Sequence, residues 1–289
     1  VQDQAAREIL SCGSRAPGVF ARGELGWQSV AMRTADLRMR YWARLSQANP
    51  KRLLARVAEF RYSQVVEGKA PRSWFVPTLK LAAKLGLENA SPSDVDWQEK
   101  LEEALAAVEE KSWSDEVERR SSLDLFRTLK QKPKAEEFLK HSSNWKGRVT
   151  KIRMRGNTYH CVDRVGAWLG WPAGARTCPM CDEGDVEDVA HLMLWCSAYA
   201  RPRQELLKVL NSRLVEVGEP EAARLVQQGT QSERLVILLG GDPDGLESAL
   251  SMRAKRRVDR AVCKFLEQLE KVRSKVMAGW TAARGMTAM

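Results

Sequence analysis

Four residues within one short stretch could do chemistry together: Cys178, Cys181, His191 and Cys196. Thiolates and imidazoles are the donors that suit zinc. The pair in Cys178-Pro179-Met180-Cys181, two residues apart, can grip one ion from a single tight turn. On a helix, His191 and Cys196 lie nearly one and a half turns apart, near enough to complete a tetrahedron from a helix and its end. Cys3His is a closed ligand set for one structural Zn2+, with no position left for a catalytic water. Acidic residues at 182–188 predict a helix N-terminus ahead of 189–195. So small a segment has few apolar residues of its own, and its folding is expected to need the metal.

The remaining cysteines, Cys12, Cys161 and Cys263, are scattered and read as buried thiols that pack like small hydrophobes. Six cysteines in 289 residues are too few for a disulfide scaffold. His160-Cys161 stands near the cluster but reads as a packing pair rather than as spare ligands.

Basic residues form the second constellation. Lys146, Arg148, Lys151, Arg153 and Arg155 lead straight into the metal block, with Trp145 and Tyr159 beside them. Cations meet phosphates and flat rings stack on bases, so this stretch is expected to touch RNA. Arg253, Arg256, Arg257 and Arg260 on the last helix are expected to do the same. Contacts of this type position an RNA without reading much of its sequence.

These residues must be carried by helices. Apolar residues recur at helical spacing almost everywhere. Val30, Leu37, Tyr41 and Leu45 predict a buried stripe, with Arg33, Arg40 and Arg44 on its flanks. Leu101, Leu105 and Val108 mark a helix with an acidic face. The series from Leu246 through Leu250, Val258, Val262, Phe265 and Leu269 to Trp280 predicts a basic helix of about thirty residues. Only 235–239 is a compact apolar run suited to a strand. The expected fold is mostly α: helical modules around a small Cys3His unit, ending in a long basic helix. Breaks in the pattern suggest four regions: 1–92 helical, 93–145 acidic then basic, 146–215 metal-binding, and 216–289 helical.

The chain carries 47 Lys and Arg against 37 Asp and Glu, a formal +10. The excess is uneven: residues 94–118 hold ten acidic and two basic side chains, and 119–155 hold twelve basic and three acidic. A polyanion is the expected partner class, while the acidic segment should face solvent, a basic protein, or the chain's own basic surface. No apolar run is long enough to span a membrane, and no phosphate-binding or dinucleotide glycine pattern points to a small-molecule substrate. The sequence begins at Val1 rather than Met; with the basic charge, this makes an organelle, the mitochondrion, the expected compartment.

The metal block also resembles a family. Cys-Pro-x-Cys, an acidic spacer, Glu187-Asp-x-x-His191-Leu-x-x-x-Cys196 and then Ala198-Tyr-Ala-Arg-x-Arg203 are similar to the zinc-binding region downstream of non-LTR (LINE-type) retrotransposon reverse transcriptases. Lys151-Ile-Arg-Met-Arg-Gly156 and Val162-Asp-Arg164 resemble that region's lead-in. Glu24-Leu-Gly-Trp27, Ala35-Asp-Leu-Arg38 and Arg40-Tyr-Trp42 resemble the helical segment after the polymerase thumb. The paired aspartates that a polymerase needs for two metals are missing, since no Tyr-x-Asp-Asp occurs, and no nuclease motif replaces them. The resemblance therefore implies a nucleic-acid-handling tail without catalytic parts. The expected function is non-catalytic RNA binding within a ribonucleoprotein with protein neighbours, such as an organellar ribosome. Two other readings stay open: the tail of an active retroelement polyprotein, or a structural subunit of a protein assembly with no RNA role.

Overall fold

A computed structural model describes residues 1–141, 144–242 and 250–283. It is mostly α-helical, as expected. Fourteen α-helices are present among the described residues: α1 Gln2–Leu10, α2 Gly18–Leu25, α3 Val30–Ser46, α4 Leu53–Val66, α5 Phe75–Lys84, α6 Trp97–Glu118, α7 Asp124–Leu129, α8 Phe138–His141, α9 Trp145–Arg155, α10 Val162–Trp168, α11 Ala200–Glu216, α12 Pro220–Gln228, α13 Gln231–Leu239 and α14 Met252–Ala283. The 235–239 run expected as a strand is the end of α13 instead. A Thr230–Glu233 capping box starts that helix, and Gly240 ends it at φ 88°. Leu246 of the predicted terminal stripe lies outside the described residues.

The chain forms two compact units, 27–116 and 1–26 together with 117–289. This partition differs from the four expected regions, because the N-terminal helices belong with the metal-binding part.

In unit 27–116 the core gathers Met39, Trp42, Phe75, Ala82, Trp97, Leu101 and Leu105. Trp42 and Trp97 meet edge to face at 5.7 Å, an orientation that the ring quadrupoles favour. Ser29 caps α3 by accepting from the Met32 amide, and its own N–H and hydroxyl both donate to Glu109, at 2.9 Å each. Arg40 pairs with Glu102 at 3.2 Å, so part of the acidic face of α6 turns to the chain's own cations. The expected buried stripe of α3 is corrected. Leu45 is buried, but Val30, Leu37 and Tyr41 face solvent, while Ala35, Met39 and Trp42 face the core. The helix carries two apolar stripes, and its neighbours cover only one.

The larger unit is built on α14. Val258, Val262, Phe265, Leu266 and Leu269 pack with Leu206, Leu210 and Leu214 of α11 and with Val236–Leu239 of α13. Helix α9 lies against the adjacent side of α14. The approach is so close that a Cβ on Gly147 would stand 1.9 Å from the Cys263 carbonyl oxygen. The oxygen belongs to backbone and a Cβ is fixed by its own backbone, so no rotamer change can relieve the clash. Gly147→Ala is therefore expected to destabilise the unit by about 1–3 kcal/mol, as overpacked cores do, read as a lower denaturation midpoint.

Candidate metal centre

Cys178 and Cys181 come from a tight loop closed at its base. The Cys178 amide donates to the Asp185 carbonyl at 2.8 Å and the Glu187 amide to that of Arg176 at 3.1 Å. Thr177 and Val186 form an isolated antiparallel bridge between them, and Gly184 takes the left-handed φ of 76° that the reversal requires. The Met180 amide donates to the Cys178 sulfur at 3.4 Å.

His191 and Cys196 come from the following helix, which Asp188 caps by accepting from the His191 amide at 2.6 Å. From His191 to Trp195 the coil widens into a π turn, with the Cys196 amide bonded to the His191 carbonyl at 2.8 Å. The widening matters for the site. On an α-helix, residues five apart point about 140° from each other, whereas a turn closed between i and i+5 brings them to the same side. Arg203, near the start of α11, donates to the Cys196 carbonyl at 3.1 Å and fixes the end of the turn.

The four ligand atoms lie within 4.8 Å of one another and could hold one metal ion. Two of their separations are close to those of a tetrahedron. Metal–sulfur bonds of about 2.3 Å and a metal–nitrogen bond of about 2.05 Å, those of zinc, would set sulfurs about 3.8 Å apart and sulfur from nitrogen about 3.6 Å. Cys178 Sγ and Cys196 Sγ are 3.8 Å apart, and Cys181 Sγ is 3.4 Å from His191 Nε2. His191 Nδ1 is buried without a hydrogen-bond partner. The nearest carboxylate oxygen paired with it is Oδ2 of Asp185, at 3.7 Å, the place of the outer carboxylate that orients a ligating imidazole. The Cys178 thiol leans on Cys196, which pushes Cys178 up and Cys196 down from the ordinary thiol value.

A buried ion pair fastens this loop to α14. The Glu187 carboxylate is fully buried and accepts from the Val162 amide at 2.7 Å and from Arg273 at 2.7 and 3.1 Å. Arg273 also donates to the His160 carbonyl at 2.6 Å. His160 and Cys161 stand outside the ligand group. Cys12, Cys161 and Cys263 are buried thiols, as expected, and burial pushes Cys161 up to about 12.

Comparison with family models, with curated proteins and with solved structures found no match for this chain. The resemblance to LINE-type tails rests on the motif residues alone.

The expected RNA-contacting residues divide. Lys146 is exposed, and Trp145 is 49% exposed with the Arg148 guanidinium over its ring at 4.7 Å. Lys151 and Arg155 are corrected: neither exposes any surface, and neither can meet a phosphate. Arg155 faces Glu24 at 2.8 Å and Glu136 at 3.2 Å, and also donates to the Leu239 carbonyl. Lys151 pairs with Asp259, and Lys130 pairs with Glu136. Arg153 is half-buried and donates to the Ser11 carbonyl at 2.9 Å. Tyr159 is corrected as a stacking surface, because its ring is buried and its hydroxyl donates to Glu270 at 2.6 Å. On α14, Arg253, Arg256 and Arg260 are exposed and Arg257 is half-buried.

Glu136, Asp259 and Arg273 carry no signal in the sequence, and Glu24, Asp185 and Glu187 stand there only as motif or spacer residues with no partner indicated. Their partners lie as far as 131 residues away, and no local spacing signals such pairs. Of Trp27, Trp42, Trp168, Trp171 and Trp195, whose Leu, Val and Gly company in the sequence suggests core positions, only Trp42 is buried, and Trp168 and Trp195 are exposed.

Two outcomes follow from this geometry. Elemental analysis of the purified chain should find one metal ion per chain, lost when Cys178 and Cys181 are both changed to Ser. An ion present at about a thousand times its dissociation constant adds about 4 kcal/mol, so chelation should lower the Tm by about 10 °C. Removing Glu24 alone, as Glu24→Leu, leaves Arg155 buried and underpaired and should cost about 3–5 kcal/mol. The double change Glu24→Leu with Arg155→Met should cost less than the sum of the two single changes in denaturant titrations.

Proposed function

We propose that this chain is a non-catalytic RNA-binding protein, stabilised by one structural zinc and descended from the tail of a LINE-type reverse transcriptase. The observation that carries the reading is the solvent side of α14. Arg253, Arg256, Arg260 and Lys264 follow one another at three- and four-residue steps along a single ridge, with Arg257 beside it. Among the described residues, only Arg256 of these has a carboxylate in range, Glu137 at 3.7 Å. The buried cations Lys130, Lys151, Arg155 and Arg273 of the same unit are each matched by an acid, so an exposed ridge left without them suits an external polyanion.

Zinc is the ion that best suits three thiolates and one imidazole. Such a closed set supports a structural role rather than a hydrolytic one, and the absence of a Tyr-x-Asp-Asp motif agrees with it. Phosphate contacts from a rigid ridge would hold an RNA in register within a larger ribonucleoprotein. An organellar ribosome, that of the mitochondrion, is the assembly this reading favours, with protein neighbours around the chain.

Titration of a labelled single-stranded RNA tests the reading. With four phosphates neutralised, affinity should fall about fifty-fold between about 50 and 200 mM salt. Changing Arg253, Arg256, Arg257 and Arg260 together to Ala should weaken binding and flatten that dependence without moving the Tm. Binding that is insensitive to salt, or unaffected by the fourfold change, would refute the assignment.

A further inference from the structure

Trp168 closes α10 and remains 37% exposed. Two guanidinium groups lie over its ring, Arg15 at 4.9 Å and Arg164 at 5.1 Å. The His160 ring meets it near edge-on at 6.4 Å. The two cations over this indole come from separate elements, the loop between α1 and α2 and helix α10.

Neither Arg15 nor Arg164 has a carboxylate within ion-pair distance among the described residues, and Arg164 Nε is buried with no hydrogen-bond partner. Arg155, Arg176 and Arg273 in the same unit each hold an acid at 2.7–3.2 Å. Guanidinium groups drawn together without a counter-charge repel each other, and an anion would relieve that repulsion. The open part of an indole between them adds a flat apolar surface. A phosphate beside an aromatic ring fits both features, and a nucleotide carries the two together.

We infer that Trp168, with Arg15 and Arg164, forms a stacking site for one nucleotide of a single-stranded RNA, the base on the indole and the phosphate between the guanidinium groups. Arg15 is exposed and comes from a loop, so it can leave the ring. A base stacks on an indole more strongly than an exposed guanidinium covers it, and the exchange frees Arg15 for the phosphate. The site rests on the RNA-binding reading and moves base stacking from Tyr159, which is buried, to Trp168.

The test uses the full chain and a fluorescently labelled oligouridine of about twelve nucleotides, followed by anisotropy. Trp168→Ala should weaken binding about tenfold, whereas Trp168→Phe, which keeps an aromatic face, should stay within about threefold. Arg15→Ala combined with Arg164→Ala should match the loss. Adenosine monophosphate should compete with the oligomer and inorganic phosphate at the same concentration should not, since phosphate lacks the ring. A 4-thiouridine version of the oligomer should cross-link to the peptide containing Trp168, a readout that does not depend on the stability of any variant. If wild-type chain binds the RNA while Trp168→Ala, folded by circular dichroism, binds equally well and the cross-links map elsewhere, this site is wrong and the RNA reading stands. If wild-type chain binds no RNA at all, both fall together.

Discussion

The larger unit depends on the burial of Arg155. Its guanidinium has no solvent contact, and its donors go to Glu24, Glu136 and the Leu239 carbonyl. Taking such a charge out of water costs several kcal/mol, which only complete pairing offsets. The chain supplies that pairing from α2, from the loop before α8 and from α13. One turn earlier on α9, Lys151 does the same with Asp259 of α14. With Lys130 the cluster holds three cations against three carboxylates, so the charge closes within it. Each partner comes from a different part of the chain. The helices can satisfy the cluster only in the register observed, and Gly147 lets α9 sit close enough to α14 for the bonds to form.

The metal loop has no core of its own and is fixed to this frame from both ends. Glu187, in the loop, binds Arg273 of α14 and the first amide of α10. Arg203 at the start of α11 holds the Cys196 carbonyl. Between these anchors the four ligand atoms already lie within 4.8 Å of one another, close enough to share one ion. The π turn is the backbone's contribution, since it aligns His191 and Cys196 where a regular α-helix would separate them. Metal chemistry and helix packing are thus linked through two arginines.

The net charge of the chain is the sum of two populations with different physical roles. Lys130, Lys151, Arg155 and Arg273 are buried and neutralised, and contribute to packing rather than to the surface potential. Arg253, Arg257, Arg260 and Lys264 have no acid in range among the described residues, nor do the arginines around Trp168. Exposed cations of the second kind add to a surface potential that attracts a polyanion. A basic run in the sequence therefore overstates the surface available to RNA near α9 and says little about which of its residues are free.

The sequence by itself determined the metal ligands, the helical class and the long last helix. Ligand choice follows donor chemistry and short spacing, and Cys178, Cys181, His191 and Cys196 all lie within one segment. An amphipathic helix such as α14 likewise shows its buried face as a three- and four-residue rhythm. Only the tertiary structure decided which of two apolar stripes on α3 is covered, since Leu37 and Met39 are equally apolar and differ only in their neighbours. It also decided that 235–239 is helical, because a short apolar run suits a buried helix as well as a strand. Above all it decided the fate of the cations. Lys146 and Lys151 look alike in the sequence, yet one reaches solvent and the other meets an aspartate 108 residues away. Burial and pairing depend on contacts between distant parts of the chain, and local spacing carries no record of them.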